Sequence, residues 1–194
     1  MNKARLEAFS DGVFAIIITI MVLELKVPHN AEWSALLETA PTFISYLISF
    51  LFVGIYWGNH HHLLHTLKKS SSGILLANLN LLFWLSLVPF VTAWMGENHF
   101  APNTIILYSL DCMLCGFAYS ILQKMILSCS DPNDKLTIAI RKQNMKVIVS
   151  TVCALLAIPF AYVHPALSGL SLLVLSGIWL IPDKNIEKAL NERE

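Results

Sequence analysis

Three groups of residues in this sequence have the types and spacings that chemistry uses. Ser10 and Asp11 stand directly ahead of the apolar run Gly12 to Leu23. An acid there can hold a proton, a cation or a hydrogen-bond donor. In NHHHLLH, His60, His61 and His62 are followed by His65; His61 and His65, four apart, share a helix face, as metal ligands do. Cys112 and Cys115 form a CxxC, the spacing of redox and metal sites.

The surroundings narrow each of these. A membrane di-metal oxygenase needs several histidine boxes, and only Asp11, His29, His99 and His164 remain to supply ligands. Those three histidines fall at the far side of the layout below, so no metal and no cofactor are expected. Ser10 lacks a GxSxG elbow, and its adjacency to Asp11 is not a catalytic geometry. The CxxC has apolar neighbours, no second CxxC and no βαβ context, so its thiols read as inert and buried. Cys129 and Cys153 add no disulfide framework. The sequence does not read as an enzyme.

The elements that must position these residues are helices. Hydrophobic residues make up 56% of the 194 and charged ones only 13%, which excludes an ordinary soluble domain and points to an integral membrane protein. Zero formal net charge argues against a nucleic-acid partner. A bilayer core of about 30 Å takes roughly 20 apolar residues. Six runs qualify, at about 8–25, 41–65, 73–95, 103–127, 144–163 and 166–182. They give one all-α, six-span domain over 1–194. The polar breaks include KVPHNAEWS and SCSDPNDKLTIAIRKQNMK, and the last two spans are joined only through Val163, His164 and Pro165.

Basic residues collect in cytoplasmic loops. An even number of spans puts Lys3, Arg5, Lys68, Lys69, Lys124, Lys135, Arg141, Lys142, Lys146, Lys184, Lys188 and Arg193 on one side, against Lys26 alone on the other. Both termini are therefore expected in the cytoplasm and the chain in the cell membrane. The polar Ser10 and Asp11, with no small-residue cleavage site after them, argue against a signal peptide.

An intramembrane acid is a functional hypothesis by default. Asp11 lies on the order of 10 Å into its helix. Alternating helix directions bring it level with His60 to His62 and with Asn80. Arg5 is about 120° away on the same helix and cannot pair with it. The donor must come from a histidine, the Trp57 indole or an Asn. Gly12, Ile16, Thr19, Ile20 and Leu23 form one stripe, with Asp11 about 100° from its centre. Ile18, Val22 and Leu25 form an equally apolar second stripe, and spacing alone does not choose between them.

RLEAFSD resembles the RxxxFSD signature that opens the first span in the transmembrane protein 175 family of potassium channels. YWGNHH resembles the WxxHH of its bacterial members, and NLLFWLSLVPFVTAWMG is similar to the family's Asn and Pro-Phe-x-Thr element. The resemblance implies a six-helix subunit, used once per chain, that forms a non-canonical homotetrameric channel for potassium and other monovalent cations. The first helix would line the pore, and the sequence has no TVGYG filter. Ile16, Ile20 and Leu23 would be the constricting rings, with Thr19 as the hydroxyl at their level. Arg5, Phe9, Ser10 and Asp11 match the signature. Ser10 and Asp11 are expected to bond Trp57, His60 or His61, and Asn80.

The competing reading is a proton-coupled transporter that uses Asp11 and the cluster His60, His61 and His62. Neither a discontinuous helix nor an inverted repeat supports it, and Pro89 and Pro159 read as kinks.

Overall fold

The computed structural model describes residues 3–67, 70–141, 144–180 and 188–189. Eight helices occur among them: α1 (Lys3–Leu23), α2 (Trp33–Glu38), α3 (Ala40–His65), α4 (Ser72–Glu97), α5 (Pro102–Ser128), α6 (Lys135–Arg141), α7 (Asn144–Val163) and α8 (Pro165–Leu180). The six long ones fall on the six expected runs, and the described residues contain no strand. α1 starts five residues ahead of the expected 8, so the whole RLEAFSD segment is helical. Residues 181–182 of the expected last span, and Lys68, Lys69, Lys142, Lys184 and Arg193, lie outside the described residues.

Four long helices, α1, α3, α4 and α5, and the segment Lys135–Val163 are long and apolar enough to cross a membrane, while α8 has 16 residues. The chain is a multi-pass membrane protein.

Local signals set the helix ends. Ser71 Oγ accepts from the Ile74 N–H at 3.3 Å and caps α4. Pro residues sit in the first turns of α3, α5 and α8, where the missing N–H costs nothing. The His164 ring accepts from the Ala166 N–H at 3.2 Å, closing the tight α7–α8 hairpin.

Two breaks read as polar are partly helical. In the segment ahead of α7, Asp134 Oδ2 accepts from the Thr137 N–H at 2.9 Å, and α6 buries Leu136, Thr137, Ala139 and Ile140. Its alternation of apolar and charged residues hides a short helix inside a charged stretch. α2 follows the KVPHN turn and leaves Trp33, Leu36 and Leu37 exposed.

α4 is the central rod, packed on α5, α3 and α1. α1 lies against α3 and α4, and the α7–α8 hairpin packs on α5 and reaches α3. α3 and α4 approach so closely that a Cβ on Gly96 would overlap the Ser45 hydroxyl and come 2.7 Å from Thr42 Cα. Lys26 and Glu97 form an ion pair that ties the end of α1 to the end of α4. The hydrogen bond and charge of Glu97 raise the Lys26 ammonium above the ordinary lysine value.

Candidate functional site at the first helix

α1 has two faces. Leu6, Ser10, Phe14, Ile17 and Met21, spaced by three and four, are buried. The opposite face runs through Phe9, Ile16, Thr19, Ile20 and Leu23, all exposed. Phe9, Ile16 and Leu23 recur every seven residues and drift by only about 20° per repeat, so they stay in line. Ile16 is 58% exposed, Ile20 43% and Leu23 78%. The rival stripe is mixed, with Ile18 half-buried against the core and Val22 exposed. The Thr19 hydroxyl donates to the Ile16 carbonyl at 2.9 Å, which spends its proton on its own helix and leaves oxygen lone pairs facing outward.

A polar anchor holds the buried face. The Ser10 hydroxyl donates to the Leu6 carbonyl at 2.9 Å and accepts from Asn78 Nδ2 at 3.0 Å. Asn78 Oδ1 lies 2.7 Å from His60 Nε2. With the amide nitrogen committed to Ser10, the oxygen must accept, so His60 donates from Nε2 in this assignment. Ser10, Asn78 and His60 are all buried, and together they join α1, α4 and α3. The Phe14 ring covers His60, with centroids 5.5 Å apart. Each partner satisfies a group that hydrocarbon would otherwise leave unpaired.

Beside the anchor, Trp57 Nε1 donates to Asp11 Oδ1 at 2.9 Å. Both residues are exposed, so this bond lies at the rim of the bundle. His61 is exposed as well and contacts the rings of Trp57, His62 and His65 rather than Asp11. Arg5 and Phe9 point outward.

One expected member is replaced. Asn80 is exposed, in a groove with Gly73, Leu76, Trp84 and Met125, and Asn78 takes the place expected for it. Two residues are about 200° of helix, so only one of the pair can face α1 and α3. The structure also separates Asp11 from His60: each has its own partner, and no hydrogen bond joins them.

A second polar cluster contains the Thr92 of the Pro-Phe-x-Thr element, while its Ser49 and Tyr108 belong to no motif read in the sequence. Thr92 Oγ1 lies 2.6 Å from the Ser49 hydroxyl, which donates to the Tyr108 oxygen at 3.0 Å. These three buried residues join α4, α3 and α5. Among the described residues, no three of His, Cys, Asp and Glu gather to hold a metal. Cys112 and Cys115 are free and buried.

The profile of the family described as endosomal/lysosomal potassium channel TMEM175 matches residues 5–89. That span contains the exposed stripe of α1 and every residue of the anchor. A protein of Chryseobacterium sp. (strain P1-3), named as a potassium channel, is 49% identical over 99% of this chain and 100% of its own length. The human endosomal/lysosomal proton channel TMEM175 is 38% identical over 43% of this chain and 19% of its own. The crystal structure of a lysosomal potassium-selective channel TMEM175 homolog from Chamaesiphon minutus superposes with a TM-score of 0.79 at 26% identity, covering 92% of this chain and 96% of that one. On the sequence signature, the helical layout and these relatives together, this chain belongs to the TMEM175 family of ion channels and is not an enzyme.

Proposed function

We propose that this chain is the subunit of a potassium-permeable channel, a homotetramer whose pore is lined by the exposed face of α1. The observation that carries this reading is the asymmetry of that helix. Its polar and bulky buried face is bonded to α3 and α4, while a continuous stripe of Phe9, Ile16, Thr19, Ile20 and Leu23 is left without intrasubunit cover. A second copy related by rotation covers such a stripe, and four copies turn each residue into a ring. The names of the bacterial relatives supply the ion.

Rings of Ile16, Ile20 and Leu23 would exclude fully hydrated ions by dewetting. Passage then demands partial dehydration, which is less costly for potassium than for the more strongly hydrated sodium. Four Thr19 oxygens, with their protons turned to the helix, would replace part of the lost water. Asp11 and Trp57 would sit at the cytoplasmic mouth, with both termini on that side, and the Ser10–Asn78–His60 anchor would hold α1 at its angle.

The test is potassium flux into liposomes containing purified protein, with sodium as competitor. Ile20→Asn is expected to change the flux or its selectivity at least about tenfold, roughly 1.4 kcal/mol in the barrier. Ile18→Ala, on the half-buried side, changes either less than about twofold. Equal effects of the two would put the ion path on another face. Absence of flux from folded wild-type protein would overturn the channel reading itself.

A further inference from the structure

Asp111 lies on α5, away from α1 and from every residue of the anchor. It is the tenth residue of its helix, about 14 Å from the amino end at 1.5 Å per residue. The residue is 5% exposed, and neither carboxylate oxygen has a hydrogen-bond partner among the described residues. A carboxylate in such a place has no protein donor to offset its burial, a state far more costly than that of an unpaired neutral group.

Among the described residues, the surrounding helices bring no countercharge to it. Tyr108, Cys112 and Cys115 are the titratable neighbours of Asp111 along α5, and α3 carries Tyr46 and Tyr56 besides its histidines. The four histidines of α3 belong to its last two turns. α4 carries a single titratable residue, Glu97, at its end and paired with Lys26. α7 carries Cys153, Tyr162 and Lys146, whose ammonium lies 5.8 Å over the Trp179 ring. α8 has no acid, base, thiol or phenol. Among the described residues no base stands against Asp111, and the species that neutralises it without a further side chain is a proton.

We propose that Asp111 is a proton-binding site within the subunit, occupied in the packed bundle and emptied only when α5 separates from its neighbours enough to admit water. Proton uptake forms an O–H bond on one carboxyl oxygen and closes the bundle. Release requires hydration of the resulting carboxylate, so alkaline conditions favour the open packing. The site does not rest on the channel reading, since Asp111 is buried within one subunit and lies off α1.

Infrared spectroscopy of the full chain in lipid vesicles, in heavy water at neutral pH, tests this directly. The carbonyl band of a protonated carboxyl is expected in wild type and in Asp11→Asn, and lost in Asp111→Asn. Raising the pH is expected to remove the band from wild type and lower its thermal midpoint by several degrees, while Asp111→Asn stays flat. A wild type with no such band at neutral pH, or a band that survives in Asp111→Asn, overturns the proposal. If Asp111→Asn does not fold, wild type still decides: a band that persists into alkaline buffer, or vanishes with no change in midpoint, also overturns it. None of these readouts involves ion flux, so the two proposals stand or fall separately.

Discussion

Asn78 meets two demands at once, a donor for Ser10 and an acceptor for His60. Asn78→Leu is expected to cost about 1–2 kcal/mol, the upper end for hydrogen bonds between membrane helices, because it strands two buried partners. Asn80→Leu should stay within about 0.5 kcal/mol. Unfolding in mixed micelles measures both, and equal costs would contradict the observed rotation of α4. At the rim, Asp11→Asn and Trp57→Phe touch one bond, so a double-mutant cycle should show coupling of about 0.5–1 kcal/mol. Independent effects would mean that the bond does not anchor α1. Ser10, Asp11, Trp57 and His60 are legible in the sequence because polar residues at one depth in apolar runs must find one another. The choice between Asn78 and Asn80 is not, since period gives the spacing of a face but not which way the helix is turned. Asp111 escapes for another reason: one acid barely lowers the mean of a long apolar run, and its lack of a partner exists only in three dimensions.

Among the elements, the six long helices follow from hydropathy with ends shifted by at most five residues, since hydrocarbon accepts only helices with their backbone bonds closed. What hydropathy misses is α6, whose apolar residues are too few to register beside Asp134, Lys135 and Arg141 but are buried once the chain folds back. The α3–α4 contact is equally hidden, because Gly96 reads in the sequence only as the end of α4, while the fold closes Thr42 and Ser45 of α3 onto it. Gly96→Ala is expected to force the helices apart and cost about 1–3 kcal/mol, as overpacking does. Gly177→Ala, where a Cβ meets nothing within 4 Å, should leave the thermal midpoint of the purified protein within about two degrees of wild type. A Gly96→Ala midpoint that matches the Gly177→Ala one would show that the contact has slack.

At the scale of the whole molecule, the proposed tetramer brings four α1 helices to one axis. In a Cys129→Ser background, Leu23→Cys is expected to yield oxidised dimers in membranes, while Val149→Cys, exposed on α7, stays monomeric. Monomers from both would remove α1 from the axis. The two buried polar clusters have a mechanical consequence for any such assembly. His60 and Ser49, eleven residues apart on α3, are pinned to Asn78 and Thr92 on α4, two fixing points about 17 Å apart. A slide of α4 by one turn, about 5.4 Å, would break both, and a tilt would break at least one. Two bolts through one pair of rods leave neither translation nor swivel. With Tyr108 bolting α5 to the same pair, α3, α4 and α5 make a stator. The α1 helix is moored to it near its start, through Ser10 and Asp11, and again just past its end, through Lys26 and Glu97, so the face it turns outward is set by the stator.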